Sequence, residues 1–164
     1  MFFPYLKGRQ YELLALKELA NGGLLGKSII PVVEPIKLTA TFDGFIKSFV
    51  DAQLPVSVLF NPTVGELTDA SSVFEKLYSR CFDNGNVVIP SLLINRNAED
   101  IFSLLLSKMV SKSNVLAVLD NRDLIEVYKV LFSNNAPKYT LCPDERQIRR
   151  AVTQNKVLFE NKFN

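Results

Sequence analysis

The sequence predicts an α/β fold: a parallel (βα)n arrangement of TIM-barrel type, left incomplete at about seven strands. Three observations point there. Short apolar runs rich in β-branched residues recur along the chain, each followed by a segment of 3.6-residue periodicity. The runs lack strict apolar and polar alternation, as strands do when covered on both faces by crossover helices. No GxGxxG or GxxxxGK[ST] follows any run, which favours a barrel over an open, nucleotide-binding sheet.

The strands are expected at residues 2–6, 29–36, 56–60, 87–94, 115–119, 139–142 and 157–159, and the helices at 9–20, 41–52, 69–82, 98–110, 124–132 and 144–153. Thr68 is placed to cap the helix at 69–82, and Gly85 follows its end where a left-handed residue suits a helix terminus. Asn97 precedes the helix at 98–110, Glu99 and Asp100 fall in its first turn, and Lys108 and Lys112 lie near its end, matching the helix dipole. No break divides the chain, so residues 1–164 are expected to form one domain. It ends directly after the seventh run, so the expectation is either the N-terminal part of a longer protein or an incomplete barrel whose open edge needs a partner or a cover.

With 48% hydrophobic and 22% charged residues, the chain has the composition of a globular domain. Lys and Arg outnumber Asp and Glu by 19 to 17, and a net charge of +2 is too balanced to point to nucleic acid or a membrane. There is no histidine, which excludes Ser-His-Asp and Cys-His nucleophiles and histidine-based zinc sites. Cys81 and Cys142 have no CxxC spacing and read as reduced, small apolar residues. No apolar run approaches the roughly 20 residues of a membrane helix, and the first residues lack the pattern of a secretion signal. A soluble, cytoplasmic protein without membrane partners is expected. No residue pattern identifies a cofactor or a metal site.

In parallel α/β folds functional side chains stand at the carboxyl ends of strands, where the loops converge. The polar residues there include Lys7, Arg9, Glu34, Lys37, Asn61, Asn95, Asp120 and Glu160, with Glu12 in the turn after Arg9. Helix caps and solvated loops account for many such residues, Asn95 among them. Glu34 is the most pointed, because in IIPVVEPIK it sits within apolar sequence and needs a cationic or hydrogen-bonding partner. Lys7 and Arg9 at the neighbouring strand end can supply it, with Gly8 permitting a tight turn and Glu12 extending the network. The same cations can instead bind an anion or face solvent.

Glu34 and Glu160 would face one another across a closed barrel mouth, where paired carboxylates do acid–base work or hold a cation. The loop FNPTVGELTD, with Asn61-Pro62 and Gly65, has the length of a binding loop. At helical spacing Arg146 and Arg149 or Arg150 share a face, so the three form a candidate basic patch; a solvated face is the favoured reading of it, and nucleic-acid binding the weakest.

PYLKGRQYELLALKEL, IIPVVEPIK and KVLFENKFN together resemble the bacterial and phage "beta protein" family. Lys7, Arg9, Glu12, Glu34 and Lys37 match its motif positions. The resemblance implies the N-terminal part of a longer, barrel-like cytoplasmic protein of phage, mobile-element or defence loci, with no settled enzymatic activity. The expectation is a non-catalytic binding or assembly protein that self-associates or joins another subunit. The alternative is a barrel enzyme or phosphate-ligand binder using the Lys/Arg/Glu cluster at the strand ends.

Overall fold

The computed structural model describes residues 1–83, 85–143 and 146. The chain folds as two compact units, residues 1–91 and the part from Leu92 onward. The first carries β1 (Tyr5–Leu6), α1 (Gln10–Asn21), β2 (Val32–Val33), α2 (Ala40–Asp51), β3 (Val56–Leu59), a 3₁₀ turn (Gly65–Leu67) and α3 (Ala70–Phe82). β4 (Val88–Leu93) crosses the boundary, and the second unit continues with α4 (Ala98–Ser107), β5 (Leu116–Val118), α5 (Ile125–Leu131) and β6 (Tyr139–Leu141).

All registered strand pairs are parallel, and the hydrogen-bonded order follows the chain from β1 to β6. A doubly wound sheet reverses its strand order at a switch point, and none occurs among the described strands. The fold is therefore α/β, of the incomplete (βα)n, barrel-like kind. The helix expected at 144–153 and the strand expected at 157–159 lie outside the described residues.

The first strands are shorter than expected. Pro4 stands between an isolated bridge, Phe2 to Ile29, and β1, while Pro31 and Pro35 bracket β2. Proline has no N–H to give a ladder, so regular pairing contracts to the residues between. The prolyl carbonyls still accept: Val32 N donates to Pro4 O at 2.8 Å and Ser57 N to Pro31 O at 2.8 Å.

Two expected caps are corrected. Thr68 closes the 3₁₀ turn in a right-handed helical conformation, φ −66° and ψ −26°, so Asp69 becomes the N-cap of α3. The helix ends on Asp83, also right-handed, with Gly85 beyond the cap. At α4 the N-cap is Asn97, but φ −96° and ψ 3° are not the extended backbone from which a side chain reaches the first turn. Asn95 acts in that turn instead, its Oδ1 accepting from Asn97 N at 2.9 Å. Lys112 donates to the Leu131 carbonyl at the end of α5, at 2.6 Å.

Each unit has an aromatic core. In the first, α1 packs on α2, whose Phe42, Phe45 and Phe49 are completely buried. Phe60, just past β3, meets Phe74, Tyr78 and Phe82 of α3 at ring separations of 5.6, 6.4 and 6.2 Å. In the second, Phe132 lies 5.0 Å from Phe102 and 5.2 Å from Tyr128, whose hydroxyl bonds the Thr140 hydroxyl at 2.8 Å. Cys81 is buried and burial pushes its thiol up, so it behaves as a small apolar residue; Cys142 is exposed, and neither forms a disulfide.

Phe60→Ala empties the contact between β3 and α3 and is expected to cost about 3–5 kcal/mol in urea denaturation, with an unchanged far-ultraviolet spectrum below the transition.

Candidate functional site

The register of the first unit decides which side chains meet. Tyr5, Val32, Ser57 and Ile89 are partners across the strands and share one face; Leu6, Val33, Val58 and Pro90 share the other. Two residues beyond Tyr5 and Val32, on the same face, come Lys7 and Glu34. Alternation alone thus brings a phenol, an ammonium and a carboxylate to one place at the carboxyl ends of β1 and β2.

Glu34 is 1% exposed, and both of its oxygens are engaged. Oε2 accepts from Lys7 Nζ at 2.7 Å and from the Tyr5 hydroxyl at 3.0 Å. Oε1 accepts from the Thr63 backbone N–H at 2.7 Å and the Thr63 hydroxyl at 2.9 Å. The Lys7 ammonium also lies 5.8 Å from the centre of the Tyr5 ring. Burial pushes the Glu34 carboxyl up, but the Lys7 bond, the two Thr63 bonds and the Tyr5 bond outweigh it and hold the group below its ordinary value. It stays a carboxylate with no oxygen left over for acid–base work.

This carboxylate ties together the loops after β1, β2 and β3, and two glycines let those loops approach. Gly8 has φ +64°, and a Cβ there would sit 2.8 Å from the Glu34 carbonyl oxygen. Gly65 has φ +84°, and a Cβ there would overlap Ile36, whose carbonyl accepts from Glu66 N at 2.8 Å. Both positions combine a left-handed backbone with close backbone contact, which only glycine tolerates.

Beside the clasp is a cavity of about 330 Å³ lined by Gly8, Arg9, Gln10, Leu13, Ile36, Lys37, Thr39 and Thr41. It lies at the N-termini of α1 and α2. Thr39 is the N-cap of α2, its hydroxyl accepting from Phe42 N at 3.3 Å. Arg9 is the N-cap of α1; Glu12 Oε2 accepts from its backbone N–H at 2.8 Å, and a guanidinium has no acceptor with which to return the bond.

The expected cluster is therefore divided. Lys7 joins Glu34, whereas Arg9 does not: after the turn at Gly8 it lines the cavity together with Lys37. Glu12 serves the helix start rather than the Glu34 network. Asn61 is buried and partnered. Asn95 and Asp120 belong to the second unit, Asn95 in its turn and Asp120 exposed. Glu160, Arg149 and Arg150 lie outside the described residues; Arg146 is described and exposed. Tyr5 and Thr63 complete the site without having been singled out. Tyr5 could have been found from its two-residue spacing to Lys7; Thr63 has no local signal, since it arrives from a loop 29 residues from Glu34.

Compared with models of known protein families and with curated proteins, the chain matches none.

Glu34→Gln keeps the shape but turns an amide N–H₂ or a weaker acceptor toward Lys7 and Tyr5, and is expected to cost about 1–3 kcal/mol in chemical denaturation. Because folding lowers the carboxyl below its ordinary value, the unfolded chain binds more protons on acidification. The stabilisation is complete above the unfolded value of about 4.3 and is lost as pH falls through the folded one, so the wild-type and Glu34→Gln stabilities should converge in acid. Parallel curves between about pH 6 and pH 3 would contradict the assignment.

Gly8→Ala adds a left-handed penalty of about 1–2 kcal/mol, besides the contact with Glu34, and should lower the melting temperature by several degrees.

Proposed function

We propose that the chain is a non-catalytic binding or assembly protein, working in the phage, mobile-element or defence setting that its likeness to the beta protein family implies. The observation that carries this reading is the saturation of Glu34. The most chemically pointed group at the strand ends spends both oxygens on Lys7, Tyr5 and Thr63, holding loops in place. A general base or metal ligand at that position needs a free lone pair and an accessible face. Glu34 has a structural task instead, and the loops it fixes become a preformed surface. The partner is protein, either a second copy or another subunit, and the setting is cytoplasmic.

A second reading, a phosphate-ligand binder, is favoured by a separate observation. Arg9 and Lys37 line one cavity that, among the described residues, has no carboxylate in its wall. Lys7, named with them on sequence grounds, is withdrawn from that role by Glu34.

Self-association is read by light scattering behind a sizing column. The assembly reading expects a mass above the 18.5 kDa of one chain, rising as protein concentration increases from about 1 to 100 µM. A mass fixed at one chain throughout that range overturns self-association and leaves the ligand reading standing.

A further inference from the structure

We infer that the cavity between the N-termini of α1 and α2 is a binding site for a phosphate monoester with a compact, partly apolar body. The inference rests on the ligand-binding reading above and names the ligand class of that site.

Charge is the first argument. Among the described residues, neither Arg9 nor Lys37 makes an ion pair, and the cavity wall contains no Asp or Glu. The nearest neighbour in sequence, Lys7, is neutralised by Glu34 at 2.7 Å. One strand end thus has its cation compensated, while two cations a few residues away face a common space uncompensated. Glu12 makes no ion pair with the Arg9 guanidinium: its Oε2 is bonded to the Arg9 backbone N–H.

Donor capacity is the second. Arg9 offers a planar fork and Lys37 a point charge. The Thr39 hydroxyl accepts from Phe42 N and so keeps its own proton to donate, and Thr41 adds a second hydroxyl to the wall. The first turns of two twelve-residue helices, α1 and α2, add N–H groups that intrahelical bonding leaves over. A carboxylate has one charge and two oxygens and would leave one cation uncompensated. A phosphate monoester carries about −1.5 to −2 at neutral pH on three terminal oxygens, matching two cations and this many donors.

Size and wall chemistry are the third. A cavity of about 330 Å³ exceeds the needs of a bare anion and falls at the lower end of the roughly 300–1,000 Å³ of small-molecule sites. Leu13 and Ile36 provide an apolar side against which the organic part of the ester can lie. The position is also preorganised, because Glu34 fixes the turns that carry Arg9 and Lys37 through Lys7 and Thr63.

The test is calorimetric titration of the full chain at low ionic strength with phenyl phosphate and with benzoate, which share a ring and differ in the anion. Phenyl phosphate is expected to bind one to one and at least about tenfold more tightly than benzoate. In the Arg9→Gln, Lys37→Gln double variant its affinity should fall at least about tenfold, while Lys76→Gln, an exposed cation on α3, leaves it unchanged. Both cavity side chains are exposed and the helix cap at Arg9 uses its backbone, so the double variant should fold, as circular dichroism will verify. Benzoate binding as tightly as phenyl phosphate would overturn the phosphate assignment while sparing the ligand-binding reading. Equal weakening in Lys76→Gln would overturn the site. Absence of binding by either probe at about 10 mM, where a millimolar site fills, would overturn both.

Discussion

A carboxylate taken out of water must collect donors or give up its charge, and Glu34 collects four. The consequence for the first unit is geometric. One donor pair comes from β1 and the turn after it, the other from the loop after β3, so a single side chain just past β2 fixes its neighbours on either side. Hydrophobic contacts cannot do this, being non-directional: Phe42, Phe45 and Phe60 hold helices against strands but do not specify where a loop residue four positions past a strand will stand.

The same clasp separates two kinds of cation that sequence alone presents as equivalent. Lys7 and Arg9 are two residues apart, yet Gly8 in a left-handed conformation sends them to different tasks. Lys7 stays in the alternation of the strand and completes the carboxylate network; Arg9 starts the helix and turns to the cavity with Lys37. On the proposed ligand-binding reading, positive charge on fixed turns beside a neutralised pair lowers the reorganisation needed when an anion arrives.

Much of this was legible because it is local. The strand and helix rhythm follows from periodicity, and the need of Glu34 for a partner follows from a charge inside IIPVVEPIK. Lys7 was legible as that partner because sequential parallel strands place their ends side by side. The tight turn expected at Gly8 is present, with φ +64°, but it carries Arg9 to the N-cap of α1 and the cavity wall rather than to Glu34. Thr63 was illegible for a different reason: it reaches Glu34 through tertiary placement, and nothing in FNPTVGELTD distinguishes that threonine from Thr68. Strand lengths were overestimated where apolar character and ladder capacity part company, at Pro4, Pro31 and Pro35.

The clasp also has a place in time. Its bonds join residues 27 and 29 positions apart in the chain, on both sides of Glu34. Joining those loops closes segments that hold α1 and α2, and the entropy of closing them is offset by the strand pairing and helix packing that accompany it. If the clasp forms after the folding transition state, its bonds slow unfolding far more than they hasten folding. On that order the clasp is a latch on a finished structure, setting how long the arranged loops persist once formed.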